Sequence, residues 1–285
     1  MKKFLFLCTL SIGLCSFISP ISGTKGLPVD KNFPNLLPNK PIAQAKAYRY
    51  ADSIYSRIHL STYGLEKEVF FSAFKGYEYL KSKGMLEKDN FLTIVDYTQS
   101  STRKRLYVID FNKGRVIFNT YVSHGARSGK EFATSFSNSD DSHKSSLGFI
   151  VTGEPYRGIA GYSLHLKGVE PGINDHIYRR SIVMHGSRYV NEQRAEENEN
   201  GVGRSFGCPA VPYGQQYDII NTIKGGSCVC IFADDAHYKM SSRVLNAAFE
   251  WPDLKTKLPD LMPPSLTNQS TAENRLSIST TDKKG

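Results

Sequence analysis

The chain has 285 residues, of which 40% are hydrophobic, 12% aromatic and 22% charged. That suits one or two domains plus tails, and it excludes a wholly disordered chain and a polytopic membrane protein. Lys plus Arg number 36 against 27 Asp plus Glu, a net +9, or +7 if Lys2 and Lys3 leave with a leader. The surplus is scattered; it fits an anionic polymer or a membrane surface and forms no nucleic-acid footprint.

Met1-Lys2-Lys3 followed by the apolar run Phe4 to Ile18, with small residues at Ser19, Ser22 and Gly23, has the layout of a secretory signal peptide over 1–23. Fifteen apolar residues fall short of the roughly 20 that span a bilayer, so no membrane span is expected after cleavage. Leu14 stands before Cys15 where a lipobox needs a small residue, which argues against lipidation. The expectation is an exported protein of the periplasm, the cell envelope or the exterior. Export leaves Cys208, Cys228 and Cys230, an odd number, so at least one thiol is unpaired. Cys228 and Cys230 are two apart in a strand-like run and read as small core residues.

Residues 24–41 hold four prolines and read as a linker. Apolar positions at Ile42, Ala45, Tyr48, Ala51, Ile54, Tyr55 and Ile58, then at Val69, Phe70, Ala73, Phe74, Tyr77 and Leu80, predict two amphipathic helices within 42–88, with Gly84 as a stop. From 90 to 251 the pattern changes to short β-branched and aromatic runs: Phe91–Tyr97, Arg105–Phe111, Arg115–Ser123, Leu147–Gly153, Ser163–Val169, Ser181–His185 and Cys228–Phe232. Asn112-Lys113-Gly114 reads as a hairpin turn. Tyr217–Ile223 is a short helix and Asp235–Trp251 a closing C-terminal helix, while 252–285 reads as a loose tail. The fold class is mainly β, a sandwich or barrel-like domain with a helical pair before it. No internal repeat is evident.

Two segments carry chemistry. Ser181-Ile-Val-Met-His185-Gly186-Ser187 is a buried-looking strand ending in His-Gly, and Gly203-Arg204-Ser205-Phe206-Gly207-Cys208-Pro209 is a Gly-rich turn bearing a cysteine. Between them, 188–201 is a polar run with four glutamates that reads as a surface flap. Only the thiolate is nucleophilic, and a free thiol with a pKa of roughly 8.5 is a few per cent ionised at neutral pH. A histidine within reach supplies the missing base, and a Gly-Cys turn aims the amides of Gly207 and Cys208 at a developing oxyanion. By itself this spacing leaves open a core histidine and an inert buried thiol. His124, before Gly125 and a Ser-rich loop, is either a cleft residue or a turn histidine. His165, between Leu164 and Leu166, reads as facing solvent or the other sheet face. No HExxH and no paired Cys spacing accompanies the histidines, so neither a metal nor another cofactor is expected.

Met184-His185-Gly186 and Arg204-Ser205-Phe206-Gly207-Cys208-Pro209-Ala210-Val211 resemble the active-site pair of the L,D-transpeptidase (YkuD-like) family, in the branch of murein L,D-transpeptidase catalytic domain proteins. Ser123-His-Gly, Ser135-Phe-Ser-Asn138, Ser145-Ser-Leu-Gly148-Phe149, Tyr162-Ser-Leu and Gly168-Val-Glu-Pro-Gly-Ile-Asn174 extend the resemblance over roughly 90–233. It implies a Cys nucleophile (Cys208) and a His base (His185) acting on peptidoglycan stem peptides, with Ser205 and Gly207 matching the family's Ser/Thr-x-Gly-Cys shoulder. Ser205, Gly186, Arg204 and His124, which flank these residues or could line the cleft, are the substrate-binding candidates. The sequence departs from the commoner pattern at Phe206, where that pattern has His, and at Pro209-Ala210, where a polar residue follows the Cys. Three activities remain in play: transpeptidation, hydrolysis as an L,D-carboxypeptidase or endopeptidase, and a wall-binding protein without activity. A sortase needs an Arg on a strand after the Cys, and only Arg243 and Arg275 follow Cys208, neither on a predicted strand. Papain-like and NlpC-type peptidases place Cys before His.

Overall fold

A computed structural model describes residues 41–197, 201–202, 204–248 and 251. The expected leader, the linker up to 40 and the tail from 252 lie outside the described residues. Both expected helices form: α1 (Pro41–Arg57) and α2 (Lys67–Ser82), joined through a 3-10 turn at Leu60–Tyr63. In α2 the face Val69, Phe70, Ala73, Phe74, Tyr77 and Leu80 is buried as the spacing requires. In α1 the buried stripe is Ala47, Tyr50, Ala51, Ile54 and Tyr55, continued by Ile58 just past the helix. Tyr48 sits about 100° round from Ala47; it is 39% exposed and meets Phe71 edge-on, centroids 4.8 Å apart.

The helices share one apolar core with the sheet. Gly76 explains how closely they approach. A side chain there would come within 2.0 Å of the Phe149 ring, so a glycine that costs a helix about 1 kcal/mol is what admits that ring. Phe74 and Tyr77 pack on Phe111 with centroids 5.6 and 5.0 Å apart. Trp251 closes the same cluster against Tyr50 and Phe74.

The strands are β1 (Phe91–Asp96), β2 (Leu106–Asp110), β3 (Arg115–Thr120), β4 (Gly148–Gly158), β5 (Gly161–Gly168), β6 (Val183–Ser187), β7 (Ala210–Pro212) and β8 (Cys228–Phe232). They form one sheet in the order β3-β2-β1-β8-β4-β5-β6-β7. The β1–β8 and β6–β7 pairs are parallel and the rest antiparallel. The two edges nearly meet. Chain leaving β3 runs back past β7, where Ser123 N–H donates to Ala210 O (2.9 Å), Ser205 N–H to His124 O (3.1 Å) and Ala126 N–H to Ser205 O (2.6 Å). The result is an almost closed barrel, which removes most of its exposed edge. In the Asn112-Lys113-Gly114 turn, Asp110 Oδ1 accepts the amides of Asn112 and Lys113, and Gly114 takes a φ of 59°.

Beside β7, which the sequence reading lacks, three features differ from it. The strand from Leu147 does not stop at Gly153. A pairing irregularity between Thr152 and Pro155 absorbs the proline, and β4 continues to Gly158. The closing helix is only α5 (Ala236–Ser241), capped by Asp235 Oδ1 on Tyr238 N–H; Ser242 then turns its hydroxyl to the buried Glu170. Finally, the expected flap contains a short helix, α3 (Glu192–Glu197), with Glu192 placed 3.5 Å from Lys104 Nζ. The helix α4 (Gln216–Ile223) forms as read. Cys228 and Cys230 lie fully buried in β8, unpaired, their thiols pushed up by burial. Among the described residues no helix is long and apolar enough to cross a membrane.

Candidate active site

The barrel brings the two singled-out segments together at its last strand pair. His185 is the central residue of β6 and lies opposite Ala210 of the parallel strand β7. Two residues before Ala210, Cys208 sits beside Val183, whose N–H points at its sulfur (3.4 Å); the thiol itself faces Ser181 O at 3.8 Å. Val183 and His185 are two apart on one strand, so their side chains leave the same face about 6.6 Å apart along it. The strand that carries His185 is thus the one against which the cysteine turn docks. His185 Nδ1 lies 3.0 Å from Gly186 O. A carbonyl only accepts, so Nδ1 carries a proton, and in the neutral ring Nε2 is the nitrogen with the lone pair. The sequence offered no partner to orient this ring; the partner is the backbone carbonyl of the next residue.

Burial pushes the Cys208 thiol up, outweighing the Val183 amide, the Arg180 charge and the residue's own amide, which all favour the thiolate. Such a thiol is neutral at rest and needs a base.

Gly207 makes the turn possible. Its φ is +119°, and a side chain there would meet Lys144 O and Ile182 Cδ1 at 2.8 Å. Its amide, however, is no oxyanion donor, because it already donates to Ser205 Oγ (3.1 Å). The Ser205 hydroxyl in turn donates to Cys208 O (2.5 Å). Ser205, only 7% exposed, thus clamps the turn from inside and is not placed to bind substrate. The amide of Cys208 has no acceptor among the described residues other than its own thiol, and of the two expected donors it is the one left over.

Gly186 is buried in β6, with no room for a side chain against Gln216. Arg204 is exposed and donates to Gly129 O (3.2 Å), tying down the neighbouring loop. His124 is fully buried, so it is not a cleft residue. Its Nδ1 accepts from Arg105 Nη2 (2.8 Å), and burial plus that cation hold its pKa down at about 4, so the ring is neutral. Arg105 is also wholly buried, donating to Val122 O and Gln99 O with its guanidinium 4.7 Å from the centre of the Tyr97 ring. Burial lowers its pKa to about 10, which leaves it charged at neutral pH. His165 stacks on Tyr156 and meets the tilted ring of Tyr178, centroids 4.2 and 5.6 Å away. Among the described residues no three His, Cys, Asp or Glu side chains converge as metal ligands.

A pocket of about 370 Å³ opens on the Ser181 side of the thiol, between the Asp140–His143 loop, Arg179–Ile182 and Phe206. Phe206 is 72% exposed and stacks on His143, centroids 4.5 Å apart. Arg180, on its wall, passed unnoticed in the sequence; an Arg before a strand carries no local sign of what it will bind.

Residues 61–232 match the family model of the L,D-transpeptidase catalytic domain. No curated protein matches the chain. Similar solved structures include an L,D-transpeptidase from Mycobacterium smegmatis, at 9% identity over 50% of this chain and 59% of that one (TM-score 0.32). Another is residues 123–326 of the L,D-transpeptidase from Xylanimonas cellulosilytica, at 13% over 54% and 68% (0.32). A third is an L,D-transpeptidase from Stackebrandtia nassauensis, at 14% over 65% and 77% (0.31). The chain thus spans less than two thirds of the M. smegmatis structure.

Proposed function

Because the chain belongs to the L,D-transpeptidase catalytic domain family, we propose that it is an exported cysteine acyltransferase that cross-links peptidoglycan stem peptides. The observation that carries the reading is the docking of the Cys208 turn against β6, with His185 one side-chain step along the same face and its Nδ1 fixed on Gly186 O.

In this reading His185 Nε2 takes the proton of the Cys208 thiol. The thiolate attacks the carbonyl carbon between the third residue and the terminal D-alanine of a tetrapeptide stem. The oxyanion that forms lies nearest the Cys208 amide. As it collapses, the carbon–nitrogen bond breaks and the D-alanine amine leaves with the proton from His185, so a thioester remains. An amine of a neighbouring stem gives its proton to His185 and attacks the thioester. The new amide forms, and the departing thiolate is reprotonated by His185. No cofactor enters this cycle. The proposed place of action is the periplasm or the cell envelope outside the membrane, as the leader-like N-terminus suggests.

The test is mass spectrometry of the protein incubated with a disaccharide-tetrapeptide, with Cys208→Ala alongside. A cross-linked dimer formed only with the cysteine supports transpeptidation, and Cys208→Ala falls to background while melting at the same temperature. A tripeptide without dimer replaces this reading with a hydrolase. No product and no adduct on Cys208 replaces it with a binding protein.

A further inference from the structure

The commoner family pattern puts a polar residue just past the cysteine, and here Pro209-Ala210 fill those places. A cation nevertheless stands at the thiol, delivered from elsewhere in the chain. Arg180 precedes β6, and its guanidinium is fixed by four hydrogen bonds. Nη1 donates to Ser137 O and Ser146 Oγ (2.7 Å each), and Nη2 to Ser142 Oγ (3.0 Å) and Lys144 O (2.7 Å). None of these acceptors is charged. Among the described residues no carboxylate lies within ion-pair distance of Arg180; Asp140, the nearest acid to influence it, is engaged with Arg179 at 2.9 Å. The group also lies against the nucleophile's turn, since a side chain on Gly207 would approach Arg180 Nη2 to 3.5 Å. Four neutral acceptors therefore hold a half-buried positive charge, without an ion-pair partner among the described residues, beside the residue that precedes Cys208.

Resting on the reading of Cys208 as nucleophile, we infer that Arg180 is a positioning residue for catalysis: its fixed charge, held beside the nucleophile's turn, stabilises the Cys208 thiolate. The other groups around the thiol do not supply that charge. Tyr189, in the chain after β6, and Tyr97, in the chain after β1, lie near enough to interact with it, and His185 stands on the strand against which its turn docks. The tyrosines are neutral, raised by burial, and His185 is the base that must stay able to accept a proton. Arg180 uses its Nη protons on the protein itself, so it acts as a field on the sulfur and not as a donor to it. In a partly buried site that field is weakly screened by water.

The test is the pH dependence of iodoacetamide alkylation in the full-length protein. It follows the Cys208 peptide by mass spectrometry, since Cys228 and Cys230 are buried. Arg180→Gln slows alkylation roughly tenfold at pH 7 and moves the midpoint of the profile upward, with rates rejoining wild type at high pH where both thiols are ionised. Arg180→Lys, which keeps the charge and loses the fork, retains most of the wild-type profile. Ser142→Asp provides the same readout with the arginine in place, because the new carboxylate neutralises it and moves the midpoint in the same direction. An unchanged midpoint in both Arg180→Gln and Ser142→Asp overturns the inference, as does uniform slowing at every pH, the mark of a merely structural role. A wild-type Cys208 inert across the range overturns it together with the proposed function. A reactive wild type with unshifted variants overturns the Arg180 inference alone.

Discussion

The barrel is held at two places by opposite chemistry. On one side α2 lies on the sheet through Phe70, Phe74, Tyr77 and Phe149, an apolar contact so close that Gly76 must lack a side chain. On the other, the barrel closes where the chain after β3 meets β7, through backbone bonds at Ser123, His124, Ala126, Ser205 and Ala210. Behind that seam stands a buried arginine on carbonyls and a neutral histidine, not a layer of leucines. Apolar packing tolerates small shifts with graded cost, whereas a buried polar network is either satisfied or expensive. The candidate nucleophile sits on the second kind of support. His124 O receives the Ser205 amide, and the Ser205 hydroxyl holds Cys208 O, so the turn is defined by directional bonds that fix its geometry.

The sharpest way to separate the two supports is to remove one residue from each. Arg105→Met strips donors from Val122 O, Gln99 O and His124 Nδ1, at about 1–3 kcal/mol for each buried acceptor left unpaired. It is expected to cost roughly 3–5 kcal/mol in urea unfolding. It also slows Cys208 alkylation at temperatures where the protein is still folded by circular dichroism. Phe74→Ala costs about 3–4 kcal/mol by cavity formation, yet leaves the alkylation rate of the folded protein as in wild type. Equal loss of thiol reactivity in both variants would mean that the seam has no special hold on the turn.

The two sides were not equally legible in the sequence. The α2 face is apolar at every third or fourth residue, and that period alone yields the helix and its buried side. The α1 stripe was read partly on Tyr48 because a tyrosine suits either a core or a rim; packing against Phe71 places it at the rim. Of the candidate site the sequence singles out Cys208 and His185, through their neighbours Gly207 and Gly186, and the fold brings the two segments together. What was illegible is everything that acts across the fold: the Gly186 carbonyl on the imidazole, Ser205 as an internal clamp, and Arg105 and Arg180 as cations on carbonyls. A charged residue is read by default as surface, and its acceptors here come from segments 6 to 43 positions away. His124 reads in the sequence as either a turn or a cleft histidine, because nothing there shows that a histidine in a Ser-His-Gly turn is fully buried.

His124 also provides a smaller test of the seam. Its folded pKa is about 4, below the roughly 6.5 of an exposed histidine. The unfolded chain therefore binds a proton that the folded one refuses between those values. Stability from this group is complete above about pH 6.5 and is lost as the pH falls towards 4, by up to about 3 kcal/mol. His124→Gln is expected to flatten that part of the profile. Urea titrations at pH 7 and pH 5, compared between the variant and wild type, isolate the contribution. An identical drop in both would assign the acid sensitivity elsewhere.

The smallest expected effect on stability falls at the departure from the family pattern. Phe206 is 72% exposed and touches the fold mainly through the His143 ring, so Phe206→Ala should change the unfolding free energy by less than about 0.5 kcal/mol. It also forms one wall of the pocket that opens at Ser181. On the proposed function the loss of that wall raises KM for the tetrapeptide donor while kcat stays within about twofold, because binding is lost equally in ground and transition states. A fall in kcat at constant KM would instead place the aromatic pair in the transition state. The seam would then share its task with a residue that contributes almost nothing to holding the barrel together.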